Sequence, residues 1–128
     1  IELTMVQNLL NTTGKTIYVE RESLLDAATA ISGSGPAYVF YCMQSFIDAA
    51  QQMGFSPPEE ELLTWQTFKG AVELFHKNDL PCTQWIQKVA SRGGTTEAAL
   101  QYFRDTQVGI HLQGGAEAAR KRAEELGD

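Results

Sequence analysis

The chain has 128 residues, 43% hydrophobic and 20% charged, the size and composition of one globular domain rather than of a disordered segment. Ten lysines and arginines stand against sixteen aspartates and glutamates, a formal net charge of -6. That balance excludes nonspecific binding to nucleic acid or to an anionic membrane, which needs a surplus of cations to displace counterions, but it permits capture of a small anion by backbone N–H groups.

At the N-terminus, Met5, Val6, Leu9 and Leu10 recur at helical spacing and stop near Gly14. The stretch Thr16-Ile17-Tyr18-Val19-Glu20 alternates and is β-branched, so it reads as a short strand. A strand without a partner is not stable, so residues 1–20 read as the trailing edge of a preceding α/β domain and residues 21–128 as a separate helical domain. With neither a leader-like start nor an apolar run of membrane-spanning length, the chain reads as cytoplasmic. Cys42 and Cys82 form no C-x-x-C pair and read as buried thiols in a reducing compartment. His76 and His111 lack partners at zinc-ligand spacing, so no metal is expected.

From Glu22 onward the patterns are helical. Residues 23–31 predict a short Ala-rich helix, and 36–53 a longer one that is apolar nearly all round and ended by Gly54. Such a helix must be enclosed, and a domain of this size has trouble enclosing it alone, which predicts a partner subunit. Ser56-Pro57-Pro58-Glu59 is a helix start with serine at the N-cap and glutamate three residues on. The helix it opens runs to Lys77, and Gly70 within it predicts a close helix crossing. Asp79-Leu80-Pro81 starts a further helix through Trp85, Ile86 and Val89, and residues 96–105 and 108–126 give the last two. Arg120, Lys121 and Arg122 read as a solvated cluster near a helix C-terminus. The fold class expected is all-α, a bundle of about six helices, with a short helix-strand remnant in front.

Two glycine-hydroxyl clusters carry the candidate chemistry. In Ser91-Arg92-Gly93-Gly94-Thr95-Thr96-Glu97 the glycines and threonines stand where a helix begins, so backbone donors, hydroxyls and the helix dipole converge on one place where a carboxylate or phosphate docks. Gly93 and Gly94 permit close approach and positive φ. Ser32-Gly33-Ser34-Gly35, followed by Pro36, repeats the arrangement, and two such starts suggest a shared pocket. The alternative for both is an ordinary glycine turn with a hydroxyl N-cap.

Four blocks carry a resemblance: residues 25–38 (Leu25 to Tyr38, through Thr29 and Ser32-Gly33-Ser34-Gly35), Gln66-Thr67-Phe68-Lys69-Gly70-Ala71, residues 91–100, and the closing residues 118–127. In this order they resemble the C-terminal domain of the pyrroline-5-carboxylate reductases. The resemblance implies a two-domain oxidoreductase of proline biosynthesis, with a Rossmann domain for NADPH or NADH outside this segment and an intertwined helical domain forming a homodimer or larger homo-oligomer. By it, Gly93, Gly94, Thr95 and Thr96 would hold the substrate carboxylate with Ser91 lining the loop, and Thr29 would offer its hydroxyl near the imine nitrogen. The reaction adds hydride to a C=N carbon, and with no His, Glu or Lys placed as general acid, the proton comes from water, the hydroxyl or a pre-protonated iminium. Gly33-Ser34-Gly35 lacks the strand and third glycine of a dinucleotide fingerprint, so the segment is expected neither to hold the nucleotide nor to be active by itself.

The chain departs from the family pattern at Arg92, where proline is usual, at Gln44-Ser45 and at Ala90. Arg92 either contacts the carboxylate or projects into water. These departures leave room for a domain of a related reductase acting on another cyclic imino acid; the competing reading is a structural dimerisation module whose glycine turns cap helices and bind nothing.

Overall fold

Helix-forming periodicity is realised throughout the computed structural model, which describes residues 21, 23–90 and 94–127. The elements are α1 (Ser23–Ala28), a π turn (Thr29–Gly33), α2 (Gly35–Gln52), α3 (Pro57–Lys77), α4 (Cys82–Ala90), α5 (Gly94–Asp105) and α6 (Val108–Gly127). The described residues are therefore all-α, with six α-helices and no strand. The helix and strand expected in residues 1–20 lie outside the described residues.

The first helical stretch differs from expectation. Instead of a helix ending near Ile31 and a fresh start at Pro36, the chain stays helical from Ser23 to Gln52 with one widened turn and a bend at Ser34. The Ser34 amide donates to the Thr29 carbonyl at 2.9 Å, an i to i−5 bond, and Ser34 itself is in the right-handed helical region. Hydroxyls help the turn: Thr29 donates to the Leu25 carbonyl at 3.0 Å and Ser32 to the Ala28 carbonyl at 2.8 Å. The Ser32–Gly35 cluster is thus not an open helix start, because its Ser34 amide already serves the preceding turn.

α2 ends as its sequence predicts. Gly54 adopts φ of 104°, which only glycine takes without strain, and the chain turns back into α3. At that start the Ser56 amide donates to Glu59 Oε1 at 2.9 Å and the Ser56 hydroxyl donates to the same oxygen at 2.8 Å. These bonds, the backbone one first, hold the Glu59 carboxyl below its ordinary value near 4.5. The stability they contribute is present above the unfolded value and is lost as pH falls through the lower folded one. Ser56→Ala is expected to lower the thermal midpoint at pH 7 by about 2–5 °C, and by progressively less at acid pH as the Glu59 carboxyl becomes protonated. Circular dichroism melts across that pH range check this.

α2 and α3 pack side by side, with Phe46 and Phe68 edge to face at 5.0 Å between ring centres. What this hairpin buries is unusual. Thr64 is 3% exposed and Glu60 6%, and apart from Ala30 at 2% these are the buried residues among those described. The large apolar side chains instead face outward: Phe40 is 67% exposed, Val72 62% and Phe75 53%. α2, expected to be enclosed, is not enclosed within one chain. A Cβ added at Gly70 would also meet open space, so the close crossing expected there does not occur within the chain.

α6 is the element that joins the rest. It packs on α1, on the π turn and on α5, while α4 packs on α5. Ala30 is buried in the turn that α6 covers. Gln107, in the two-residue link between α5 and α6, has φ of 59°, a left-handed geometry usually given to glycine that no glycine in the sequence announced. Two surface readings also change. Cys82 is exposed and Cys42 half-buried, so neither is a fully buried thiol. Arg120 is half-buried: its guanidinium bonds Glu117 at 2.6–3.1 Å and Glu124 at 2.9 Å, which raises its pKa, while its stem lines a groove with Ala27, Ala30 and Ile31.

Candidate functional site

The described part of the glycine-threonine segment begins at Gly94, the first residue of α5, two residues before the predicted start. Ser91, Arg92 and Gly93 lie outside the described residues. Thr95, Thr96 and Glu97 occupy the first turn, where amides find no acceptor within the helix and the dipole is positive. Gly94, Thr95 and Glu97 are exposed and Thr96 is half-buried. Among the described residues neither threonine hydroxyl bonds another residue, so neither acts as a side-chain cap there. Gly94 has no positive φ, contrary to expectation, and a Cβ added to it would meet open space. Packing within the chain gives no reason for glycine at that position.

A carboxylate in the same turn would compete for these donors, and Glu97 is such a group. Its Oε1 instead faces Arg104, 3.2 Å away two turns down the helix. Both side chains are more than half exposed, so the pair adds little stability, but it draws the acid away from the turn.

Thr29 opens the π turn and is exposed. Its hydroxyl hydrogen is directed at the Leu25 carbonyl, which leaves the oxygen lone pairs as acceptors. The turn is tied to α2 by Tyr38, whose hydroxyl donates to the Ala30 carbonyl at 2.7 Å. In the sequence Tyr38 is marked only as the last residue of the block 25–38. Its use depends on the widened turn, which the eight-residue separation from Ala30 does not reveal.

Among the described residues the two clusters lie on elements with different packing neighbours. α5 packs on α4 and α6, whereas the π turn packs on α1, α2 and α6. A cavity of about 430 Å³ between α4, α5 and α6 is lined by Leu100, Phe103 and Ile110, toward the far end of α5. One of about 270 Å³ lies between the π turn and α6, lined by Ala27, Ala30 and Arg120. Neither lining includes Thr29, Gly94, Thr95 or Thr96, so the shared pocket expected from two helix starts is not formed there.

Among the described residues no cluster of His, Cys, Asp and Glu is arranged to hold a metal ion, and no helix is long and apolar enough to cross a membrane. Nor do Gly33-Ser34-Gly35 fit a dinucleotide pyrophosphate. That site needs free amides at a strand-to-helix turn, and here the Ser34 amide is already bonded within a helical stretch.

Comparison with known proteins supplies the family. The family described as pyrroline-5-carboxylate reductase dimerisation matches residues 22–126. Curated pyrroline-5-carboxylate reductases from Pseudomonas aeruginosa and Pasteurella multocida are 35% and 37% identical, each over 94% of this chain and 44% of the relative. The chain therefore spans a little under half the length of those relatives. Among solved structures, a pyrroline-5-carboxylate reductase from Coxiella burnetii superposes with a TM-score of 0.92 at 34% identity, over 98% of this chain and 46% of that one. The Plasmodium falciparum pyrroline carboxylate reductase with NADP bound gives 0.90 at 33%, over 98% and 48%. On the breadth of these matches, the chain belongs to the pyrroline-5-carboxylate reductase family and corresponds to its dimerisation domain.

Proposed function

We propose that this segment is the oligomerisation and substrate-carboxylate domain, residues 21–128, of a reductase that converts 1-pyrroline-5-carboxylate to proline in the cytoplasm. The observation that carries the reading is the first turn of α5: exposed Gly94 and Thr95 beside a half-buried Thr96, two threonine hydroxyls without partners among the described residues, and a glycine that packing within the chain does not require. The carboxylate of the imino acid accepts from the amides and hydroxyls of Gly94, Thr95 and Thr96, with Ser91 and Gly93 completing the loop. NADPH or NADH, which supplies the hydride when bound, is held by a nucleotide-binding domain outside this segment, and residues 1–20 form the edge of that domain.

Thr29 acts as an acceptor. Because its own hydrogen points to the Leu25 carbonyl, it receives the N–H of an already protonated imine and orients the C=N bond. The proton then arrives with the substrate, consistent with the absence of a placed general acid. One protomer leaves Thr29 and the α5 turn on different neighbours of α6, so the reading also requires assembly into a homo-oligomer that completes the site.

The test is a steady-state assay of the intact protein that contains this segment, with pyrroline-5-carboxylate, piperideine-6-carboxylate, NADPH and NADH. The reading expects the highest kcat/KM with the five-membered imino acid. Preference for the six-membered ring would assign a related reductase, and turnover of neither would leave an assembly module.

A further inference from the structure

We propose that Tyr38 is a positioning residue for Thr29, its hydroxyl holding the widened turn that presents the threonine to the imino acid; the inference rests on the reading of Thr29 given above. In an α-helical register the Ser34 amide would donate to the Ala30 carbonyl. Here that amide is engaged by the Thr29 carbonyl at 2.9 Å, and Tyr38 delivers a hydroxyl donor to Ala30 at 2.7 Å. Ala30 is 2% exposed, so its carbonyl has little access to water and a donor there has full effect. The phenol therefore favours the π register over the α register that competes with it.

The register matters because Thr29 is the first residue of the turn. Returning one residue to α geometry changes the angle between Thr29 and α2 by about 100°, the rotation per residue of a helix. The Thr29 hydroxyl would then point elsewhere relative to everything α2 holds in place. π turns occur preferentially at functional sites, and this one has a donor dedicated to it from the next helix. Tyr38 also lines a groove between α2 and α6, with Tyr41, His111 and Gly115, so the residue has surroundings apart from the bond its hydroxyl makes to the turn.

That separation makes Tyr38→Phe a clean probe in the intact reductase. The expected result is a fall in kcat/KM for the imino acid of about tenfold, with the nucleotide KM, helical content and oligomeric state as in the parent. Thr29→Ala is expected to be impaired, and the double variant no worse than Thr29→Ala alone, because both changes remove one function. Substituting p-aminophenylalanine at position 38, which restores an N–H donor, is expected to recover activity. If Tyr38→Phe does not fold, p-methoxyphenylalanine, which keeps the ring and oxygen but has no proton, takes its place. Parental kinetics in the donor-less variant, or losses that multiply in the double variant, overturn the proposal. An impaired Thr29→Ala beside a parental Tyr38→Phe removes only the role of Tyr38, whereas a parental Thr29→Ala removes the reading of Thr29 and this inference with it.

Discussion

Phe40→Glu is expected to convert the protein to monomers, and to unfold it if the lone protomer cannot hold its helices together. The reason is the inverted burial of one chain. Phe40 is 67% exposed there, and the outward faces of α2 and α3 also carry Tyr41 at 76% and Val72 at 62%, while the residues buried in the hairpin are Glu60 and Thr64. A Phe side chain taken out of water contributes about 1.5–3 kcal/mol, so a face of several such residues favours burial against a partner surface. A carboxylate placed on the same face must be desolvated without a partner, which costs more than the lost ring contributes. Multi-angle light scattering and circular dichroism read the outcome, with Lys121→Gln on exposed α6 as the neutral comparison. An assembled Phe40→Glu protein with a parental melt would show that this face is solvated in the oligomer. Substitutions at Phe68 and Ile47 probe something else. Phe68 meets Phe46 within the hairpin and Ile47 is half-buried, so charges there damage the protomer before they damage assembly.

Much of this arrangement was legible from local chemistry. Ser56 with Glu59 announced the start of α3, and Gly54 the end of α2, because capping and left-handed termination depend on a few neighbouring residues. The all-round apolar character of α2 pointed to a partner, since a domain of this size has trouble surrounding such a helix, and one chain leaves Phe40 and Tyr41 exposed. What stayed hidden depends on choices between near-equal local states. Ser32-Gly33-Ser34-Gly35 is compatible with a turn, a helix start or a widened helix, and the hydrogen bonds from Tyr38 and to Thr29 accompany the last. At Gly70 the predicted helix crossing has no counterpart within one chain, where a Cβ would meet open space. Charge density suggests a solvated Arg120, but two glutamates a turn away on either side bond its guanidinium, and the residue is half-buried in the lining of a groove with Ala27 and Ala30. For the candidate site, residue types and order were readable, whereas the separation of Thr29 from the α5 turn follows from which helices α6 supports.

Thr96→Ala and Gly94→Ala separate binding from folding most sharply, because at Gly94 the two effects have opposite signs. On the proposed reading Thr96→Ala removes one donor to the substrate carboxylate, worth about 1–3 kcal/mol, so the KM for the imino acid should rise roughly 5- to 150-fold. The carboxylate keeps its charge throughout the reaction, so kcat at saturation should change little. The Thr96 hydroxyl has no partner among the described residues, and the melting temperature should hardly move. At Gly94 the added methyl points into open space and lies on a helical residue without positive φ, so alanine should stabilise the fold, by up to about 1 kcal/mol. On the proposed reading the same methyl stands in the path of the substrate carboxylate toward the amides, and it should weaken binding. A Gly94→Ala enzyme that melts higher and yet needs more substrate is the expected result. If it melts higher and binds as the parent does, and Thr96→Ala also keeps its KM, the first turn of α5 is an ordinary helix start and the carboxylate is held elsewhere.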